Sequence, residues 1–233
     1  MVFTYNRSVD FFFLYCYNLL DSNLLKGDSM EKPDTLQILF IRHAQTDYED
    51  IGDRDPSDGE LTAEGEQQCI DLGEKLKDLP IDGYITSSLL RSFKTAVGVC
   101  NAKPEKPLLE ICPELVECGC TPGYFGCSKE YLSRYYENTR MCPKLFGTQE
   151  YEFGCEAFED NVLRAQKVIS YIRERFSYGD RVAVFSHHGF LEYLIPTALG
   201  VKPHVFRFAL ENTSINVVEF CRDGNVVLRC INK

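Results

Sequence analysis

The sequence predicts an α/β fold: a three-layer sandwich with a mostly parallel central sheet and a small inserted cap. Three observations lead there. Short apolar runs alternate with longer stretches of helical period, the pattern of a sheet covered on both faces. Two of those runs stop abruptly at histidine, Leu36 to Ile41 before Arg42-His43 and Arg181 to Ser186 before His187-His188. In such sheets functional residues gather just beyond the C-terminal ends of the strands. Residues 118–155, in contrast, mix Gly, Pro, Cys and aromatics with weak periodicity, which reads as a cap or lid.

Each element follows in order. Leu36 to Ile41 (LQILFI) is a short buried strand. Residues 47–60 are acidic and rich in Asp, Gly and Pro, hence a solvated loop. The run of Asp47, Asp50, Asp53, Asp55 and Asp58 lacks the spacing of a calcium loop. Thr62 caps a helix to about Asp78 with Cys69, Leu72 and Leu76 on one face. Gly83 to Thr86 is a second strand and Ser88 to Cys100 a second helix, with a third strand at Leu108 to Ile111 after Pro104 and Pro107. After the cap, a helix from Phe158 to about Phe176 carries Val162, Ile169 and Ile172 on its apolar stripe. Gly179-Asp180 turns into the strand Arg181 to Ser186, and residues 190–199 form another helix. Ser214 to Phe220 and Asn225 to Ile231 end the chain as strands joined by a hairpin turn at Arg222-Asp223-Gly224-Asn225.

Composition bounds the function. The 233 residues suit one sizeable domain, and a formal charge of −10 argues against nucleic acid or an anionic membrane as partner. An anionic substrate would need positive charge gathered locally. A cytoplasmic setting is expected, with a homodimer as the allowed assembly. Eleven cysteines follow no secreted framework. Six of them (Cys112, Cys118, Cys120, Cys127, Cys142 and Cys155) fall in one central stretch. A zinc site there would centre on Cys118, Cys120 and Cys127, but paired C-x-x-C knuckles are lacking. Reduced buried thiols and no metal are the expectation. Residues 1–29 read differently from the rest. Phe11 to Tyr17 is too short to span a bilayer, and no small-residue cleavage site follows. Lys26-Gly27-Asp28 can be encoded by a purine run just upstream of Met30, so residues 1–29 are expected to be a non-native, disordered leader before a domain at 30–233.

Six segments in order resemble the histidine phosphatase superfamily, the phosphoglycerate mutase-like group. They are LFIRHAQT (39–46), DGELTAEGEQQC (58–69), YITSSLLRSFKTA (84–96), LVE (115–117), VAVFSHHGF (182–190) and LENTSINVVEF (210–220). Ala44 stands where the family has Gly, and His188 stands where Gly is usual. The resemblance implies the phosphoglycerate mutase-like fold and a metal-independent phosphomonoesterase without a cofactor, with a small phosphate ester as partner. It implies that His43 accepts the phosphoryl group, and that Arg42, Arg91 and His187 surround its oxygens. Thr46 would be a further phosphate donor. Glu117 would act as general acid and base, with Glu114 as competitor. A strand alternates its side chains, so only one of His187 and His188 faces the site, and the family register selects His187. Glu49 stands where the family often has a phosphate-contacting Asn. Two other readings stay open: a cofactor-dependent mutase-type phosphotransferase, and a phospho-ligand binding protein without turnover. The usual mutase segment around the Glu is not seen at Leu115-Val116-Glu117-Cys118-Gly119, which favours hydrolysis.

Overall fold

The computed structural model describes residues 34–47, 58–119, 123–124, 126–147, 155–205 and 207–233. The proposed leader and Glu49 lie outside the described residues, as do parts of the expected cap.

Strand β1 (Thr35–Arg42) starts the domain, followed by α1 (Ala63–Leu76), β2 (Gly83–Thr86), α2 (Leu90–Ala102) and β3 (Leu109–Ile111). A single 3-10 turn at Pro113–Leu115 leads on to the short helix α3 (Lys129–Leu132) and to β4 (Thr139–Met141). Then come α4 (Phe158–Arg175), β5 (Arg181–Ser186), α5 (His188–Ala198), β6 (Ile215–Cys221) and β7 (Val226–Cys230). The seven strands form one sheet in the order β4-β3-β2-β5-β1-β6-β7. The pairs from β4 through to β1 are parallel, and β6 and β7 add antiparallel partners at one side.

Alternation along β1 explains the layers. Leu36, Ile38 and Phe40 face α4 and α5, where Val168, Ile172, Phe190 and Leu194 meet them. Leu39 and Ile41 face the other way, onto Leu72 and Leu76 of α1 and Phe93 and Ala96 of α2. The sheet is thus covered on both faces, as the alternating elements predict. Each buried Val, Leu, Ile or Phe among them contributes about 1.5–3 kcal/mol through removal from water.

The structure refines three expectations. Helices α2 and α5 begin at Leu90 and His188 rather than at Ser88 and residue 190. Within the expected cap, Thr139–Met141 joins the sheet edge beside β3, a three-residue strand too short to show a period. Asp58, read as part of a solvated acidic loop, is buried. Its Oδ1 accepts from the backbone N–H of Leu90 at 2.6 Å and its Oδ2 accepts from the Tyr124 hydroxyl at 2.7 Å. Asp58 is therefore the cap of α2, whose own N-cap residue, Leu89, has no side-chain acceptor.

Candidate active site

Register brings three strand exits together. In the parallel pair β1·β5, Arg42 lies beside Ser186, and in β2·β5, Thr86 lies beside Phe185. The next residues, His43, Ser87 and His187, therefore leave the sheet side by side. The backbone N–H of His43 donates to Ser186 O at 3.0 Å and that of Ser87 donates to Phe185 O at 3.1 Å. The rings of His43 and His187 come within 5.1 Å, centroid to centroid.

His43 is buried, and its Nδ1 is 2.7 Å from the carbonyl oxygen of Ala44. A carbonyl can only accept, so Nδ1 carries the proton and Nε2 keeps its lone pair. Burial, then the charge of Arg91, holds the His43 pKa well below the ordinary 6.5, against an upward pull from the Ala44 carbonyl; Arg42 and His188 add to the lowering. Imidazole, not imidazolium, is the form at neutral pH. Neighbouring segments fix this turn. Asn212 donates to His43 O at 2.9 Å and Thr213 N–H donates to Arg42 O at 3.1 Å. On the other side, Gln45 N–H donates to Gln68 at 2.8 Å, and the Thr62 hydroxyl donates to Gln45 Oε1 at 2.6 Å. A Cβ on Gly65 would sit 2.1 Å from Gln45 O, so only glycine lets α1 approach this closely. The segment 58–69 is thus the clamp that shapes the loop after His43.

Arg91 lies in the first turn of α2, 2% exposed, with its Nη1 4.0 Å from Asp58. Burial pushes the Asp58 carboxyl above its usual range, and donation from Tyr124 and Cys127 and the Arg91 charge pull back. Arg42 is partly buried and donates to Leu210 O at 2.7 Å. His187 is fully buried; its Nε2 meets Ser87 Oγ at 2.9 Å. Its Nδ1 has no hydrogen-bond partner among the described residues. Burial, followed by Arg91, His43, Arg164 and Arg42, keeps its pKa well below 6.5. Thr46 Oγ1 is likewise shielded and without a partner among the described residues. Such orphaned polar atoms mark either strain or a ligand position. His188 is partly exposed in the first turn of α5.

Glu117 and Glu114 separate cleanly. Glu117 Oε1 accepts from Phe190 N–H at 2.8 Å and from its neighbour Cys118 N–H at 2.9 Å, and Oε2 accepts from Gly189 N–H at 3.1 Å. This places its carboxylate against the N-terminus of α5, beside His187 and His188. A Cβ on Gly189 would come within 2.8 Å of Glu117 Oε1. Glu114 turns the other way: its Oε1 accepts from Leu145 N–H at 2.9 Å.

Sequence reasoning missed the residue that holds this loop. Arg164 of α4 is fully buried and paired with Glu156, Nε to Oε1 at 2.6 Å. It donates to Glu114 O at 3.0 Å and to Val116 O at 2.7 Å, and lies 3.7 Å over the Phe190 ring. One guanidinium therefore joins the backbone before Glu117 to the helix turn that its carboxylate meets. Position 164 falls beside Ala165 and Val168 on the buried face of α4, and an arginine on that face was the available signal.

These residues gather at the strand exits, with positive charge among them. Two neutral imidazoles face each other, guanidinium groups act on both, and a carboxylate stands at the edge. Among the described residues, no helix is long and apolar enough to cross a membrane.

Comparison with known proteins agrees with the fold and the motifs. Phosphoserine phosphatase 1 of Hydrogenobacter thermophilus is 24% identical over 196 residues, covering 83% of this chain and 91% of that protein. The probable phosphoglycerate mutase GpmB of Salmonella choleraesuis is 26% identical over 200 residues, 79% and 85% of the two chains. Among solved structures, the alpha-ribazole phosphatase of Shigella flexneri superposes with a TM-score of 0.63 at 21% identity, covering 85% of this chain and 96% of that one. The family model for the histidine phosphatase superfamily, branch 1, matches residues 38–233, so the chain belongs to that superfamily.

Proposed function

We propose that this protein is a phosphomonoesterase that acts on a small phosphorylated metabolite through a phosphohistidine at His43. The single observation that carries this reading is the His43 ring: Nδ1 is tied to the Ala44 carbonyl, which leaves the Nε2 lone pair as nucleophile.

Nε2 of His43 forms a bond to phosphorus while the bond from phosphorus to the ester oxygen breaks. Glu117, in its protonated form, gives its proton to the departing oxygen. Water then attacks phosphorus, Glu117 takes a proton from it, and the phosphorus–nitrogen bond breaks to restore His43. Catalysis of this kind depends on placing the group and balancing its charge. Arg42 and Arg91 offer guanidinium forks to the phosphoryl oxygens, while His187 Nδ1 and Thr46 Oγ1 supply neutral donors. These cations take the part that a metal ion plays in other phosphoryl transfers, so the proposed step needs none. Two similar proteins, a phosphoserine phosphatase and an alpha-ribazole phosphatase, support a small-molecule ester as substrate class.

A mutase is the second reading, favoured by the name of the Salmonella relative. A panel of phosphorylated metabolites, read by phosphate release and run beside a coupled phosphoglycerate isomerisation assay, separates the two. Phosphate release with no isomerisation supports the hydrolase; isomerisation faster than release overturns it.

A further inference from the structure

Among the described residues, Cys118 and Cys127 do not meet in one cluster. Cys127 Sγ donates to Asp58 Oδ2 at 3.1 Å, and Cys118 Sγ donates to Asn161 Oδ1 at 3.1 Å, so these two serve different partners. Cys120 lies outside the described residues. Another set meets instead. Strands β3 and β4 run parallel with Ile111 beside Met141, so Cys112 and Cys142 leave the sheet edge side by side. The 3-10 turn that starts at Pro113 folds Glu114 back over both.

The geometry of this trio is specific. Cys112 Sγ is 3.5 Å from Glu114 Oε2, and Cys142 Sγ is 3.8 Å from the same oxygen. All three ligand atoms lie within 4.8 Å of one another, and all three residues are buried. A tetrahedral zinc ion, with bonds of about 2.3 Å to sulfur and about 2.0–2.2 Å to oxygen, sets ligand edges of about 3.5 Å for S···O and about 3.8 Å for S···S. The two sulfur–oxygen separations lie close to that edge. As hydrogen bonds these contacts are weak, because thiols are poor donors. Leu145 N–H on Oε1 is the kind of outer contact that orients a ligating carboxylate.

We propose that Cys112, Cys142 and Glu114 form a structural binding site for a thiophilic divalent cation of the zinc type, completed by a ligand from outside this trio. Two thiolates select zinc, cadmium or cobalt over magnesium or calcium. As the two metal–sulfur bonds form, each thiol releases its proton to solvent. The ion would fasten the end of β4 to the turn after β3, which is the segment that leads to Glu117. It stands apart from the phosphoryl chemistry proposed above and does not depend on it.

The test uses the full chain, reduced, stripped with a chelator and titrated with Co²⁺. One equivalent is expected to produce a sulfur-to-cobalt charge-transfer band, release about two protons per ion, and give way to Zn²⁺. The band is expected to vanish in the Cys112→Ser, Cys142→Ser double variant and to persist in Cys118→Ser. X-ray absorption at the zinc edge of the wild-type protein is expected to show two sulfur neighbours, a reading that stands even if the double variant fails to fold. A shell of nitrogen and oxygen alone, a band that survives the double substitution, or no binding near one equivalent overturns the proposal.

Discussion

Replacing Gly189 with alanine displaces the Glu117 carboxylate without removing it. The added Cβ would lie 2.8 Å from Oε1, 3.3 Å from Cδ and 3.5 Å from Oε2, where ordinary contact begins at 3.4 Å. The carboxyl group must therefore retreat by roughly 0.6 Å or more to reach ordinary van der Waals distance. That loosens its bonds from Gly189 N–H and Phe190 N–H, the two that hold it at the start of α5. Misplacement of a reacting group by about 1 Å costs about a hundredfold in rate. A fall of about 10- to 100-fold in kcat/KM follows, or about 1.4–2.7 kcal/mol of transition-state stabilisation. Stability should change little, because the preference of a helix for alanine over glycine, up to about 0.5–1 kcal/mol, opposes the cost of the loosened bonds. Hydrolysis of p-nitrophenyl phosphate and a urea melt on the same preparation read both. A Gly189→Ala enzyme within twofold of wild type would refute the role given to Glu117; a protein that unfolds would refute the separation of the two effects.

Other outcomes follow from the same geometry. Arg164→Met leaves Glu156 buried without its guanidinium, so stability should fall by about 3–5 kcal/mol in a urea melt, with Glu156→Gln non-additive in the double variant. Thr46→Val removes a hydroxyl that bonds nothing among the described residues. It should leave the melt within about 0.5 kcal/mol of wild type while weakening inhibition by inorganic phosphate several-fold, and unchanged inhibition would remove Thr46 from the site. The pH dependence of stability has a definite sign. His43 and His187 have folded pKa values below the unfolded 6.5, so the unfolded chain binds more protons. Stability is complete above that pH and declines as pH falls below it, by at most about 1.4 kcal/mol per histidine per pH unit until the folded values are reached. Denaturant melts between pH 7.5 and about 5 should show this slope, and His187→Asn should make it shallower.

Much of the fold was legible because it is local. Apolar runs such as LQILFI and VAVFS mark strands by themselves, and Thr62 announces α1 through the bond it accepts from Gly65 N–H. The candidate site was legible where a strand end and a residue type coincide, as at His43 and His187, whose rings the fold brings together. What escaped depends on contacts distant in sequence. Asp58 sits in an acidic run and looks solvated; only its meeting with Leu90, Tyr124 and Arg91 reveals a buried cap. Arg164 reaches back some fifty positions to Glu114 and Val116, and no local period encodes that reach. Cys112 and Cys142 likewise meet only because β3 and β4 pair in register. Glu114 and Glu117 part at the 3-10 turn at Pro113, which sends the two carboxylates to opposite sides of one short segment, a divergence no local period encodes.

The most direct test of the central chemistry is to trap the enzyme in turnover, quench it in alkali, and map the phosphorylated residue by mass spectrometry. A single acid-labile phosphoryl group on Nε2 of His43, lost in His43→Ala along with turnover, is the result expected. Label on another residue, or undiminished hydrolysis by His43→Ala, would contradict it.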